Sequence, residues 1–216
     1  MSSELKPIKV YGKFGPNPPK VAILLNELDV PYEIIDIGFD KVKEPEYTAV
    51  NPNGRIPAIE DPNTGLTLWE SGAIIEYLVE KYDTKQQLSF ALGTPESYHA
   101  KQWLFFQTTG QGPYYGQAVW FSKYHPEPVP SAVERYVNEI KRVTGVLEGH
   151  LAKQEKGTDG PWLVGSKYSF ADIAFIPWQH LITKIIGPEQ FNPDDFPLVK
   201  EWVRKMVARE AVSKAI

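Results

Sequence analysis

The stretch Asn51 to Leu78, NPNGRIPAIEDPNTGLTLWESGAIIEYL, limits what this chain can fold into more than any other. It opens on NPNG, residues that favour tight backbone bends. Pro57 then heads a short apolar run, Pro57 to Ile59. A proline is tolerated at the first residue of a strand, and an X-Pro bond is the kind that can be cis. DPNTG makes a second turn, and Leu66-Thr67-Leu68-Trp69 alternates as a strand does. Glu70-Ser71 leads into a segment whose Ile74, Ile75 and Leu78 share helical spacing. Turn, proline-headed strand, hairpin and helix in so short a span predict a site as well as a scaffold. A helix start with a serine and an acid offers N–H groups to a carboxylate and a carboxylate to an ammonium. Together they suit a ligand with an α-amino-acid end.

Upstream, Ile8 to Tyr11 is β-prone, and Gly12 to Pro19, GKFGPNPP, is a loop whose Pro18 and Pro19 suit the first turn of a helix. Val21, Leu24, Leu25 and Leu28 mark one buried helix face. Asp29-Val30-Pro31 ends it, and Tyr32 to Ile37 reads as a strand, so a parallel strand pair is expected. Lys41 to Tyr47 is charged and weakly helical. Up to Tyr82 the order is β-α-β-(α)-β-β-α, an α/β layer arrangement. The predicted domains are 1–84 and 95–216, with residues 85–94 as linker.

Beyond the linker, strand signals nearly vanish. Glu96 to about Phe121 is aromatic and helical, with Gly110, Gly112, Pro113 and Gly116 expected to bend or interrupt it. Aromatics there, Tyr114 and Tyr115 above all, are candidates to line a pocket or to fill the core. Ser131 to Lys153 is an amphipathic helix with Ala132, Tyr136, Ile140, Val143, Val146 and Leu147 on one side. Glu155 to Gly160 reads as a polar loop. Ser169-Phe170-Ala171-Asp172 is a capping box with Asp in the acidic place, which makes Asp172 structural. It opens a buried helix through Ile173, Ile176, His180 and Leu181, with Pro177 inside it. A last helix starts at Asp195-Phe196-Pro197, with Val199, Trp202, Val203 and Met206 inward.

The 216 residues are 42% apolar and 23% charged, enough to bury a real core. The net charge of −4 and the lack of a basic block argue against a nucleic-acid partner. With no cysteine, disulfides, thiolate metal sites and a cysteine nucleophile are excluded. His99, His125, His150 and His180 lack metal spacing, so no metal is expected. No apolar run approaches the roughly 20 residues of a membrane span. The start, MSSELKPIKVYG, lacks the apolar core of a signal peptide. A cytoplasmic protein with no membrane partner is the expectation.

NPNGRIPAI, WESGAIIEYL and YSFADIAFIPW, in that order and spacing, resemble the soluble glutathione transferases over nearly the whole chain. GPNPPKV, WLFFQTTGQGPYYGQA and SAVERYVNEIKRVTGVLE narrow the resemblance to the fungal nitrogen-catabolite-regulator-like class, which is similar to bacterial disulfide-bond reductases of the same superfamily. The resemblance implies an α/β thioredoxin-like N-terminal domain, an all-α C-terminal helical bundle domain and a homodimer. It implies glutathione as co-substrate and a small electrophile or a disulfide as second substrate. It also implies a cis Ile56-Pro57 bond, with the Ile56 backbone holding the cysteinyl part of glutathione. Glu70 and Ser71 match the residues that hold the γ-glutamyl end, and Arg55 a position near the glycyl carboxylate. For activation of the thiol, Asn17 matches the class, while Tyr11 also lies close by. A further glycyl contact falls at Val42, with Lys41 or Lys43 as substitutes. The Asn-rich extension of the fungal regulator has no counterpart ahead of the first strand, so a prion role is not expected.

Overall fold

The computed structural model describes residues 5–155 and 159–216. The start of the chain and part of the Glu155 to Gly160 loop lie outside the described residues. Two compact units are present. One runs to Gln87 and includes Glu210–Ile216; the other is Leu88–Arg209.

The first unit is built on strands β1 (Ile8–Tyr11), β2 (Tyr32–Ile35), β3 (Ala58–Asp61) and β4 (Leu66–Trp69). Their order across the sheet is β2-β1-β3-β4. β1 and β2 are parallel, with Ile8 opposite Tyr32, as the intervening helix α1 (Pro18–Glu27) requires. β3 runs antiparallel to both β1 and β4. This is the thioredoxin-like order. β2 ends at Ile35, short of the expected Ile37, because its partner runs out: Gly12 turns away at φ +102° after its N–H takes the Ile35 carbonyl. β3 starts at Ala58, since Pro57 brings no N–H to the ladder. A short helix α2 (Pro45–Thr48) lies within the charged connection, and α3 (Ser71–Tyr82) follows β4. Ile8, Val10, Val21, Leu24, Leu25, Ile59, Ile74, Ile75 and Leu78 are fully buried and form the core that the helical and strand spacings predict. The hairpin and α3 are clasped at buried Asp61. It accepts the Tyr77 hydroxyl at 2.6 Å, the Tyr82 hydroxyl at 2.5 Å and the Asn63 N–H at 2.8 Å.

The second unit is helical: α4 (Pro95–Phe106), α5 (Gly112–Val119), α6 (Pro130–Leu151), α7 (Phe170–Ile182) and α8 (Pro197–Val207). The glycines and proline near Gly112 do not break the chain out of helix. A π-turn at Gln107–Gln111 takes in Gly110, Pro113 falls in the first turn of α5, and a second π-turn follows at Trp120–Tyr124. The core gathers Tyr115, Ala118, Val137, Ile140, Val143, Trp178 and Ile182. Tyr115 is a core residue, not a pocket wall: its hydroxyl pairs with Thr144 Oγ1 at 2.9 Å and receives the Gln179 amide at 3.0 Å. Val146, expected inward, is 42% exposed. It sits about 100° round α6 from the Ile140, Val143 and Leu147 stripe. The Ser169–Asp172 capping box is formed, and Asp172 also accepts Leu163 N–H and Trp202 Nε1. α7 runs on through Pro177. The last helix, α9 (Glu210–Ser213), belongs to the first unit, where Val212 is fully buried and Asn26 Nδ2 donates to the Ala211 carbonyl.

Candidate ligand-binding site

Four pieces of backbone in the first unit are joined in pairs: the end of β1 with the turn before β3, and the head of α1 with the start of α3. Two contacts tie them together. A Cβ on Gly12 would lie 2.6 Å from Ile56 Cβ, so only a glycine lets the end of β1 come this close to the Ile56 turn. Lys20, on α1, places Nζ 3.4 Å from Ser71 Oγ, on the first residue of α3.

The Asn51–Arg55 turn is held from within. Asn51 is buried; its Nδ2 donates to the Arg55 carbonyl at 2.6 Å and its Oδ1 accepts Asn53 N–H at 2.9 Å. The Tyr47 hydroxyl donates to the same carbonyl at 2.7 Å. Gly54, at φ +59°, packs so close to the Val42 carbonyl that a Cβ would lie 2.6 Å from it. The turn thus delivers a cis Ile56-Pro57 bond in a fixed place, with Pro57 buried and Ile56 half-buried. Among the described residues, neither the N–H nor the C=O of Ile56 has a hydrogen bond, which leaves both to a peptide-like ligand. The Arg55 side chain is exposed and makes no ion pair among the described residues. Val42 is buried against Tyr47 and Ala58, so its side chain is part of the packing. Lys43 Nζ is bound to the Asn53 carbonyl at 2.8 Å, and Lys41 is exposed.

Glu70 precedes α3 at φ 73°, ψ 114°, a conformation that costs a non-glycine residue about 1–3 kcal/mol. Its carbonyl accepts Ile74 N–H and starts the helix, but its side chain caps nothing. Simple capping therefore does not explain Glu70 and Ser71. The exposed Glu70 carboxylate stands beside the first N–H groups of α3, an acid next to donors that favour an anion.

Asn17 stands at the cap position of α1 in helical conformation, half-buried, and its side chain makes no capping bond. Pro18 and Pro19 have no N–H, and Lys20 N–H goes to the Asn17 carbonyl at 3.2 Å. The head of α1 thus has few backbone donors to offer, and its free donor is the Asn17 amide. Tyr11 is spent elsewhere. Its hydroxyl donates to Glu60 at 2.9 Å, and burial together with that bond pushes its pKa up to about 12. The contacts of Gly12 and Lys20 are ones that sequence spacing does not reveal, since both are made with partners distant in the chain. Among the described residues, no group of His, Cys, Asp and Glu is placed to hold a metal ion, and no helix is long and apolar enough to cross a membrane.

Residues 6–80 match the glutathione S-transferase N-terminal domain and residues 113–210 the glutathione S-transferase C-terminal domain. The chain is 62% identical to the glutathione S-transferase-like protein gedE of Aspergillus terreus, over 99% of this chain and 96% of that protein. It is 38% identical to Protein URE2 of Meyerozyma guilliermondii, over 94% of this chain and 76% of that one. Among solved structures, the glutathione transferase URE2P6 of Phanerochaete chrysosporium, in complex with oxidized glutathione, superimposes with a TM-score of 0.90. It is 51% identical, over 100% of this chain and 96% of that chain.

Proposed function

Because the chain belongs to the glutathione S-transferase family, we propose that it binds glutathione at the start of α3 and along the Ile56 turn, and uses the bound thiolate as nucleophile. The γ-glutamyl ammonium faces the Glu70 carboxylate, and its α-carboxylate takes the Ser71 N–H and hydroxyl. The cysteinyl N–H and C=O pair with the Ile56 backbone as a short ladder, with Pro57 fixing its direction. Arg55 serves the glycyl carboxylate from the exposed side of the turn.

The observation that carries this reading is Asn17: an amide at the head of α1 with no capping bond, beside a helix start stripped of N–H groups by two prolines. An amide donates to a thiolate but cannot act as a base. A hydrogen bond to a charged group is worth about 1.5–3 kcal/mol, or roughly 1–2 pK units. A thiol near ~8.5 would then fall toward ~7 and be about half ionised at neutral pH. The proton leaves to solvent.

In conjugation the thiolate sulfur bonds to the electrophile and its leaving group departs with the electron pair. In disulfide reduction it bonds to one sulfur of the substrate and expels the other as thiolate. A second glutathione then attacks the mixed disulfide at the glutathione sulfur, giving oxidised glutathione and the second thiol. With no cysteine in the chain, both reducing equivalents come from glutathione. Catalysis lies in positioning and thiolate stabilisation. The homodimer implied by the resemblance is part of this proposal, and light scattering tests it.

Turnover of 1-chloro-2,4-dinitrobenzene and of a small disulfide at saturating glutathione tests the reading. Asn17→Ala is expected to lower the rate about tenfold or more at neutral pH. Unchanged turnover would remove Asn17 from the mechanism. Binding of glutathione without any turnover would make this a non-catalytic member of the family.

A further inference from the structure

Lys20 has no part in the binding scheme above, yet it is 1% exposed, among the most buried side chains of the first unit. An ammonium there is costly without compensation. Its Nζ reaches 3.4 Å from Ser71 Oγ. α1 packs against β1, α3 and α9. β1 carries Lys9, which is bound to Glu60, and α9 carries Glu210 and Lys214, paired at 2.7 Å. α3 carries Glu76, Glu80 and Lys81 along its length, with Glu70 at its head, and the Glu70 carboxylate bears on the Lys20 ammonium.

We propose that Lys20 is a positioning residue for the ligand carboxylate held at the start of α3, its buried ammonium acting through Ser71. The inference rests on the glutathione reading above. Lys20 Nζ donates to Ser71 Oγ, which turns the Ser71 hydroxyl proton outward, toward a carboxylate. The ammonium also places positive charge behind N–H groups that already favour an anion. Burial brings the lysine down to about 7 in the free protein, against the opposing pull of Glu70. A carboxylate seated beside Ser71 favours the charged form, so its pKa rises on binding. Binding then takes up a proton at Lys20. Affinity is full where Lys20 is already charged, below its free pKa, and falls as the pH climbs through neutrality.

S-methylglutathione tests this, since it keeps the γ-glutamyl end and has no thiol to titrate. Its affinity is measured by calorimetry from about pH 6 to about 8.5, the range that spans the free lysine but not an ordinary carboxylate. The wild-type Kd is expected to rise several-fold across that range, with proton uptake read from buffers of different ionisation enthalpy. Lys20→Met should weaken binding at the acid end and flatten the profile. Lys20→Arg, which stays charged, should bind well with a flat profile, and it decides the matter if Lys20→Met does not fold. A flat wild-type profile with no proton uptake, or a Lys20→Met protein that binds as wild type does, would make Lys20 purely structural and leave the glutathione reading intact. Absence of any S-methylglutathione binding by the wild type would overturn both.

Discussion

At the head of α1 the Asn17 side chain makes no capping bond, while Gly12 and Lys20 are each held by a partner far along the chain. Asn17 is marked only by the resemblance, which puts an Asn in a PN pair ahead of the helix. Gly12 reads in the sequence only as one loop glycine among several. Its requirement comes from Ile56, far along the chain, and from a φ of +102°. Gly12→Ala should therefore cost about 2 kcal/mol or more and weaken glutathione binding, read by urea unfolding and by calorimetry on the folded fraction. Lys20 reads as one polar position on an amphipathic helix, and nothing in local spacing reveals that it points inward. Tyr11 shows the converse. Its position at the end of the first strand makes it a candidate, but its phenol belongs to Glu60. Tyr11→Phe should leave the thiol pKa of bound glutathione unchanged within about 0.3 unit, a result that a catalytic Tyr11 would not give.

Elements are where hydrophobic spacing speaks most clearly. β1, β4 and α1 fall within a residue or so of their expected places, because alternation and the i, i+3, i+4 pattern mark them directly. What the pattern misses is how elements are fastened. Asp61 looks like a turn residue in DPNTG, yet it is the buried acceptor that joins the hairpin to α3. Burial alone would raise its pKa, but the bonds from Tyr77, Tyr82 and Asn63 outweigh that and hold its carboxyl below the ordinary range. Its folded pKa is thus below the unfolded value of about 3.9. The stability it adds is complete above that pH and is lost as the pH falls through the folded value. Asp61→Asn should cost about 2–3 kcal/mol near neutrality and flatten the acid side of the stability profile, measured by denaturant unfolding at several pH values. Asp172 was legible as a cap, and the structure adds Leu163 and Trp202 as further donors. Asp172→Ala orphans these buried groups and should cost about 3–5 kcal/mol. The two π-turns depend on a local phase of the helix that an averaged 3.6-residue period does not resolve, whereas Val146 lies off the Ile140, Val143 and Leu147 stripe by that very period and is exposed for that reason.

Over the whole molecule, the change from mixed strand and helix signals to helix alone announces two units, and the structure has two. The return of Glu210–Ile216 to the first unit was not legible: α9 is too short to show a pattern, and its anchor, Asn26, is distant in the chain. The proposed site belongs to the first unit, where an amide, with no base and no cysteine of the protein's own, would ionise a bound thiol. The direct measurement is the ultraviolet thiolate absorbance of protein-bound glutathione, titrated against pH for the wild type and for Asn17→Ala. The wild-type complex should titrate near ~7 and the variant about 1–2 units higher. A bound thiol that titrates near ~8.5 in both proteins would rule out activation by Asn17.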